Sequence, residues 1–414
     1  MEQLNHQQRE ITIDLEEQGG APSAQDSEEY RYYRHTHGGR KHKKKMRKSK
    51  KILLIVLLVL FSLLLVAAIT ALALYHYMFG TLTHDASLEN KSDSELGIAA
   101  MDKGLNRENT MPSQAGILDI GDGEGDPDGI NGLPDDVLER IQNGSTSQTS
   151  YLLSGADRIK TFVLFGLDRY DSSDSIILIA VDPVHQKIKM ISIARDTYVW
   201  IQKWGAYSKI NYAYHWGGAE MSLFTLNQNL YLNLRDYAAV NFSQMEDIID
   251  LVGGVTVELN AAEVRYLSSL AQREGVAIHE GQCWLNGALT VAYSRIRQSE
   301  RSDNDEHRAS RQRQVLMELL SKGKAMSYYD YPKFIRECMA LCTTSFTRSE
   351  VLDLCTEVLT KDYAIEQYFF PNTGSDWWGG TIDGNWYYVY DLNRASDQIY
   401  RIIYEELYIS GYQG

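Results

Sequence analysis

"KTFVLFGLDRYDSSDSIILIAVDPVHQKIKMISIARD", Lys160 to Asp196, packs three apolar runs into one short stretch. The run "KTFVLFGLD" (160–168) reads as a strand that ends in a glycine and an acid. Next, "DSIILIAVD" (174–182) is continuously apolar, as expected of a strand covered on both faces. A turn at Asp182–Pro183 leads into "HQKIKMISIARD" (185–196), which alternates at first and then becomes apolar. The link between the second and third runs is hairpin-like, so the sheet they build is mixed.

Working outward, "SLFTLNQNLYLNL" (222–234) has helical spacing, and "YAAVNFSQMEDIIDLVGGVTVEL" (237–259) reads as strand, helix, Gly253–Gly254 turn and strand. A helix carrying "GALTVAYSRIRQ" (287–298) follows, then a longer one from Asp305 through Leu320. Strands alternating with helices place the chain in the α/β class, with a mixed central β-sheet flanked by helices. The C-terminal "FFPNTGSDWWGGTIDGNWYYVYDLNRASDQIYRIIYEEL" (369–407) reads as strands and a helix completing the same domain. Its Trp377, Trp378 and Trp386 are expected to pack in the core; stacking on sugar rings is the other use for them.

The formal net charge of −14 hides an asymmetry: residues 1–78 hold 12 Lys/Arg against 8 Asp/Glu, and the remainder 29 against 47. Ile52 to Leu74 is an unbroken run of 23 uncharged residues, with only Ser62 and Thr70 polar. Such a helix crosses a hydrocarbon core of roughly 30 Å. The segment starts too far into the chain, and its apolar part is too long, for a cleaved signal peptide. Dense Lys/Arg from Arg40 to Lys51 precedes it, so the positive-inside rule puts the N-terminus in the cytoplasm and the C-terminal part outside. The basic block is thereby accounted for against the membrane, and nothing else points to nucleic acid.

The expected organisation is a disordered cytoplasmic tail with its basic block (1–51), a transmembrane helix (52–78), an acidic flexible stalk (79–154) and an extracytoplasmic catalytic domain (155–410). Within the stalk, "EGDPDGINGLPD" (124–135) resembles a calcium loop imperfectly and reads better as a solvated acidic linker. Cys283, Cys338, Cys342 and Cys355 contain no C-x-x-C pair, which disfavours a zinc ribbon. A bond from Cys338 or Cys342 to Cys355 and buried free thiols are both compatible with the spacing.

Certain polar residues do not belong to a core. Asp168 closes the first strand and Asp174 opens the second, so neighbouring strands bring two carboxylates to one sheet edge. A hard cation such as Mg²⁺ suits that pair, although Asp is also common simply where strands turn. The third strand delivers Arg195 and Asp196 to a sheet end as well. In "YSRIRQSERSDNDEHRASRQRQVLMELL" (293–320), Arg295 and Arg297 are two apart, whereas Arg308, Arg311 and Gln312 share one helical face. Arginine's planar fork suits bidentate phosphate binding. Acids plus an arginine cluster are the chemistry of metal-assisted phosphate or pyrophosphate binding. No G-x-S-x-G elbow, Walker loop or His-rich zinc motif is present, and His215 and His307 read as loop histidines.

Taken in order, "FGLD", "SDSIILIAVDP", "SIARDTYVWI", "KINYAYHWGG", "VNFSQMEDIIDLVGGVTVEL", "LNGALTVAYSRIR" and "DEHRASRQRQV" resemble the LytR–CpsA–Psr family of cell-envelope proteins. The likeness runs from about residue 160 to 318 and more weakly to about 405. It implies a membrane-anchored extracytoplasmic phosphotransferase that moves an anionic glycopolymer, such as a teichoic acid or capsular polysaccharide, from a polyprenyl-pyrophosphate carrier onto peptidoglycan. By motif, Asp168 and Asp174 would hold Mg²⁺ (or Mn²⁺), and Arg195, Arg297, Arg308 and Arg311 would clamp the pyrophosphate. Gln312 and Arg295 would assist, Lys209 would support, and Asp196 would orient Arg195 or serve as a base. The chain departs from the family pattern at Ala194, where proline is usual, and at Ser172–Ser173, where an arginine usually precedes the Ser-Asp pair. Arg169 is the candidate replacement for that arginine. Pyrophosphate hydrolysis, and a polyprenyl-phosphate-binding sensory protein without turnover, are the competing readings.

Overall fold

The computed structural model describes residues 48–98, 158–297, 305–327, 329–372 and 377–410. The chain divides into two units, Met1–Ala71 and Leu72–Gly414. Helix α1 (Lys48–Phe79) leaves its apolar side chains exposed from Val56 to Leu74. Among the described residues it is the only helix long and apolar enough to cross a bilayer.

The three runs of the opening stretch form antiparallel neighbours: β2 (Lys160–Leu167), β3 (Ser173–Asp182) and β4 (Lys187–Ile193). They sit centrally in a seven-stranded sheet with β1 (Thr83–His84), β10 (Thr343–Thr344), β7 (Asp236–Asn241) and β11 (Ala364–Phe370), in the order β1-β10-β7-β2-β3-β4-β11. β7 runs parallel to β2, and β11 parallel to β4. The C-terminal ends of β2, β4, β7 and β11 therefore meet the start of β3 at one edge, where ligands collect in open α/β sheets.

Side chains alternate across this sheet and split the core in two. One face, carrying Val163, Phe165, Ile176, Leu178, Ile191 and Ile193, is covered by helix α2 (Tyr212–Leu230) and the C-terminal helix α9 (Leu392–Ser410). The hairpin of β5 (Tyr198–Ile201) with β6 (Ala206–Lys209) packs there too, through Val199 and Ile201. So does the hairpin of β12 (Trp378–Ile382) with β13 (Asn385–Val389), through Tyr388. The opposite face, carrying Phe162, Ile177, Ile179 and Met190, packs against helix α6 (Asp305–Ala325), helix α7 (Tyr331–Leu341) and helix α8 (Arg348–Thr360).

A third apolar cluster joins α3 (Phe242–Leu251), β8 (Val255–Leu259), α4 (Ala261–Glu274), β9 (Gly281–Leu285) and α5 (Gly287–Ser294). Reciprocal caps fix the starts of α3 and α4, Asn241 with Gln244 and Asn260 with Glu263. Gly253 and Gly254 both have φ of +78° and supply the expected turn.

The expected stalk is corrected over residues 79–98. β1 lies in the central sheet, and Phe79, Leu88, Leu96 and Ile98 are buried, so this segment is part of the folded unit. The remaining stalk to residue 154 and the calcium-loop likeness at 124–135 lie outside the described residues, as does the tail before Lys48. Helix α2 starts ten residues before the apolar run that announced it, and a kink at Gly217–Gly218 separates its first turns. The expected core packing of the C-terminal tryptophans fails for Trp377 and Trp386, which are exposed beside Tyr388. All four cysteines are free thiols, and burial pushes Cys342 and Cys355 up to about 11.

Candidate functional site

At the sheet edge β2 and β3 fall out of register. Gly166 faces Ser175, but Leu167 faces Ser173, which leaves Asp174 as the extra residue of a β-bulge. A bulge re-aims its side chain, and Asp174 forms an ion pair with Nη1 of Arg195. Asp168 closes the preceding turn, its Oδ1 accepting from the backbone N–H of Tyr170 and Ser172 at 2.8 and 2.9 Å.

Arg195 and Asp196 lie in the turn leaving β4, and that turn is held from several sides. The N–H of Ala194 donates to Phe370 O at 2.8 Å, a bond a proline there would lack. Thr197 donates back to Ala194, and the N–H of Tyr388 donates to Asp196 O at 2.9 Å. On this fixed backbone Asp196 receives Lys209 Nζ at 2.8 Å and lies 3.4 Å from Arg195 Nε.

The first turn of α6 completes the cluster with Asp305 and Arg308, 3.0 Å apart. Burial works against the Asp196 anion, yet Arg195, Lys209 and Arg308 together hold its carboxyl below the ordinary 3.8. Asp305 goes the other way, because burial and the neighbouring Asp196 carboxylate raise it despite Arg308. A hydrogen bond between the two carboxyls adds to the rise of Asp305. Burial also lowers Arg308, next to Arg195 and Arg297.

Nitrogens of these guanidinium groups are left over. Nε of Arg195 and Nε and Nη1 of Arg308 are buried and make no hydrogen bond among the described residues. Buried donors left without a hydrogen bond are costly, so native structures keep them for a purpose. An anion carrying several acceptor oxygens would satisfy all three donors at once.

One turn further along α6, Gln312 borders a cavity of about 250 Å³. Its walls are otherwise mostly apolar: Leu164 and Ile177 from the sheet, Met245 from α3, and Val315 and Leu319 from α6. The cavity lies on the α6 side of the sheet, whereas the β5–β6 hairpin packs on the other side.

Of the residues singled out from sequence, the structure gathers Asp174, Arg195, Asp196, Lys209 and Arg308. Arg297 lies exposed near Arg308, and Gln312 lines the cavity. Arg169 is not brought in: it is exposed over the Tyr170 ring at 4.6 Å. Arg295 likewise stacks on Phe242 at 4.0 Å. Arg311 is buried, giving Nε to Glu263 at 2.8 Å and Nη1 to Ile296 O at 3.0 Å. Because Glu263 also caps α4, Arg311 locks α6 to that helix. Asp305 was missed, since an acid in the first turn of a helix reads as an ordinary dipole partner.

Mg²⁺ takes hard oxygen donors and is held by one or two carboxylates together with substrate phosphates. Asp168 and Asp174 fit that description: Oδ2 of each makes no hydrogen bond among the described residues. Within those residues no group of three or more His, Cys, Asp or Glu gathers around a point, so a cage built by the protein alone is not present there.

Residues 134–402 match the LytR_cpsA_psr family. The chain belongs to that family. Relatives of this LytR_cpsA_psr protein include the polyisoprenyl-teichoic acid–peptidoglycan teichoic acid transferase TagU of Bacillus mycoides strain KBAB4. It is 30% identical over 252 residues, covering 61% of this chain and 76% of the relative. The TagU of Bacillus anthracis strain A0248 is 31% identical over 260 residues, covering 61% and 79%. Among solved structures, TagT bound to LIIa-WTA superposes with a TM-score of 0.51 at 20% identity, covering 63% of this chain and 94% of that one, a likeness of fold.

Proposed function

We propose that this chain is a membrane-anchored phosphotransferase that moves a teichoic-acid-type anionic glycopolymer from a polyprenyl-pyrophosphate carrier onto peptidoglycan. The observation that carries the reading is the set of three buried guanidinium nitrogens on Arg195 and Arg308 that make no hydrogen bond among the described residues, one helical turn from an apolar cavity. A pyrophosphate with a hydrocarbon tail matches both halves. The transferase names of the family relatives support the same substrate pair.

In this reading Arg195 and Arg308 clamp the pyrophosphate, with Lys209 and Arg297 adding positive charge at its rim and Gln312 placed where the tail begins. A hydroxyl of the glycan attacks the phosphorus that bears the saccharide. The bond from that phosphorus to the bridging oxygen breaks, and polyprenyl phosphate leaves. The hydroxyl proton passes to the Asp305 carboxylate, whose surroundings favour holding it. Asp196 keeps its charge and orients Arg195 and Lys209. Mg²⁺ or Mn²⁺, held by Asp168 and Asp174, would neutralise phosphate charge when bound. The basic block before α1 sets the N-terminus inside and the domain outside.

The test uses the full chain in lipid nanodiscs with a lipid-linked pyrophosphoryl saccharide, a peptidoglycan oligomer and Mg²⁺. Saccharide phosphate covalently attached to the glycan, reduced at least a hundredfold by Arg195→Ala, is the expected result. Tight lipid binding without attachment for any donor saccharide would overturn the transferase in favour of a lipid-binding role.

A further inference from the structure

The β5–β6 hairpin pairs Tyr198 with Lys209 and Trp200 with Tyr207. Paired residues share a face, so these four line one side of the hairpin while Val199 and Ile201 are buried on the other. The outer side forms an aromatic ladder. Trp200 meets Tyr207 at 4.9 Å, Tyr207 stacks on Tyr198 at 5.1 Å, and Tyr198 meets Tyr387 at 4.9 Å. Lys209 Nζ lies 5.6 Å from the centre of the Tyr387 ring and also holds Asp196. A line of rings thus leads from solvent to the ion-pair cluster.

A second tryptophan pair flanks the ladder. Trp204, in the hairpin turn, lies over Trp216 of α2 with ring centres 3.5 Å apart. Trp200, Trp204 and Trp216 are 36%, 47% and 37% exposed, a concentration of indole that a soluble surface does not need for packing. The hydroxyls of Tyr198 and Tyr207 make no hydrogen bond among the described residues, and burial keeps both phenols protonated as donors. Flat apolar faces edged by free hydroxyl groups match a pyranose ring, which has C–H faces and a polar rim.

We infer that the outer side of the β5–β6 hairpin, with Trp216, is the subsite for the peptidoglycan glycan strand that accepts the polymer. The assignment rests on the proposed transferase function and gives one of its substrates a place. The strand is chosen over the donor's saccharide because the cavity suited to the donor's tail lies on the opposite face of the sheet. Two substrates entering from opposite faces would meet at the strand ends, where Arg195 and Asp196 lie. The ladder ends at Lys209 and Asp196, so a bound strand would place its hydroxyl beside the carboxyl pair.

The experiment measures binding of soluble peptidoglycan glycan strands to the full chain in nanodiscs, by calorimetry, for wild type, Trp200→Ala, Trp200→Phe and Trp216→Ala. A water-soluble pyrophosphoryl saccharide is titrated in parallel, and thermal unfolding checks that each variant is folded. The expected result is at least tenfold weaker strand binding for both alanine variants, recovery to within about threefold by Trp200→Phe, and unchanged pyrophosphoryl saccharide binding. Equal strand affinity in folded wild type and alanine variants, or no strand binding at all, would overturn the subsite. Weakened binding of the pyrophosphoryl saccharide instead would assign the ladder to the donor. Protection of Trp200 fluorescence by anionic vesicles without strand binding would assign it to the membrane surface, and either result would overturn the inference. The two readings fail separately. Arg195-dependent attachment with tryptophan-independent strand binding removes only the subsite, whereas tryptophan-dependent strand binding without attachment removes only the transferase.

Discussion

Arg308 and Arg313 stand five residues apart on α6 and look alike in sequence, yet the fold uses them oppositely. Arg313 is held at two nitrogens, with Nε on Gln367 at 3.0 Å and Nη1 on Ser192 at 2.7 Å, and pins α6 to β4 and β11. Arg308 is buried with two donors unpaired. Replacing Arg313 with Met should therefore destabilise the protein by about 1.5–3 kcal/mol, since it removes hydrogen bonds from a charged donor and strands the buried Ser192 hydroxyl. Arg308→Met should abolish transfer and also lower the unfolding temperature, because it leaves the buried Asp305 carboxyl that it pairs at 3.0 Å without its counter-charge. Thermal melts beside the attachment assay check both.

The acid pair makes a prediction with a definite sign. Asp196 is held below 3.8, so its contribution to stability is present above that pH and fades as pH falls through its folded value. Asp305 is raised, so its contribution is full below 3.8 and is lost as pH climbs through its folded value. Asp305→Asn should then melt above wild type at neutral pH, with the gap closing toward pH 3. A gap that stays constant with pH would contradict the raised carboxyl.

At the scale of elements, strands were the most legible part. β2, β3 and β4 are long, apolar and bounded by turn residues, so composition alone marks them. β1 was hidden, because two residues carry no periodicity and its place depends on pairing with β10, some 260 positions away. The start of α2 was hidden by "NYAYHWGG", whose aromatics and glycines are poor helix signals. In the site, Asp174, Arg195 and Asp196 were readable as polar residues ending apolar strands. The different fates of Arg308, Arg311 and Arg313 were not, since a single helical stripe gives no hint of which partner each turn will meet. Packing between helices adds a prediction at Gly287, the first residue of α5. A Cβ there would lie 2.2 Å from the Glu246 carbonyl oxygen of α3. Gly287→Ala should force the two helices apart and cost about 1–3 kcal/mol, measurable by denaturant unfolding.

For the whole molecule, the proposed reading gives each face of the sheet its own substrate. Ala238 lines the apolar cavity on one side, well away from the charged cluster in sequence. Ala238→Phe should narrow that space and raise KM for a long-chain lipid-linked donor at least tenfold, with little change for a donor carrying a short, water-soluble prenyl tail. Equal effects on both donors would separate the cavity from the lipid. In the proposed reading the α6 face would handle hydrocarbon and the hairpin face sugar, with the charged strand ends between them.

That charge nearly cancels. Asp174, Asp196 and Asp305 stand against Arg195, Lys209 and Arg308 within one cluster, set in a chain whose net charge is −14. Such a site projects little field beyond a Debye length, so it has no means of drawing a polyanion from solution. Its substrate must be handed over by lateral diffusion in the bilayer, where α1 confines enzyme and carrier to the same plane. Ionic strength would then govern how firmly the pyrophosphate is gripped and leave the rate of encounter almost untouched.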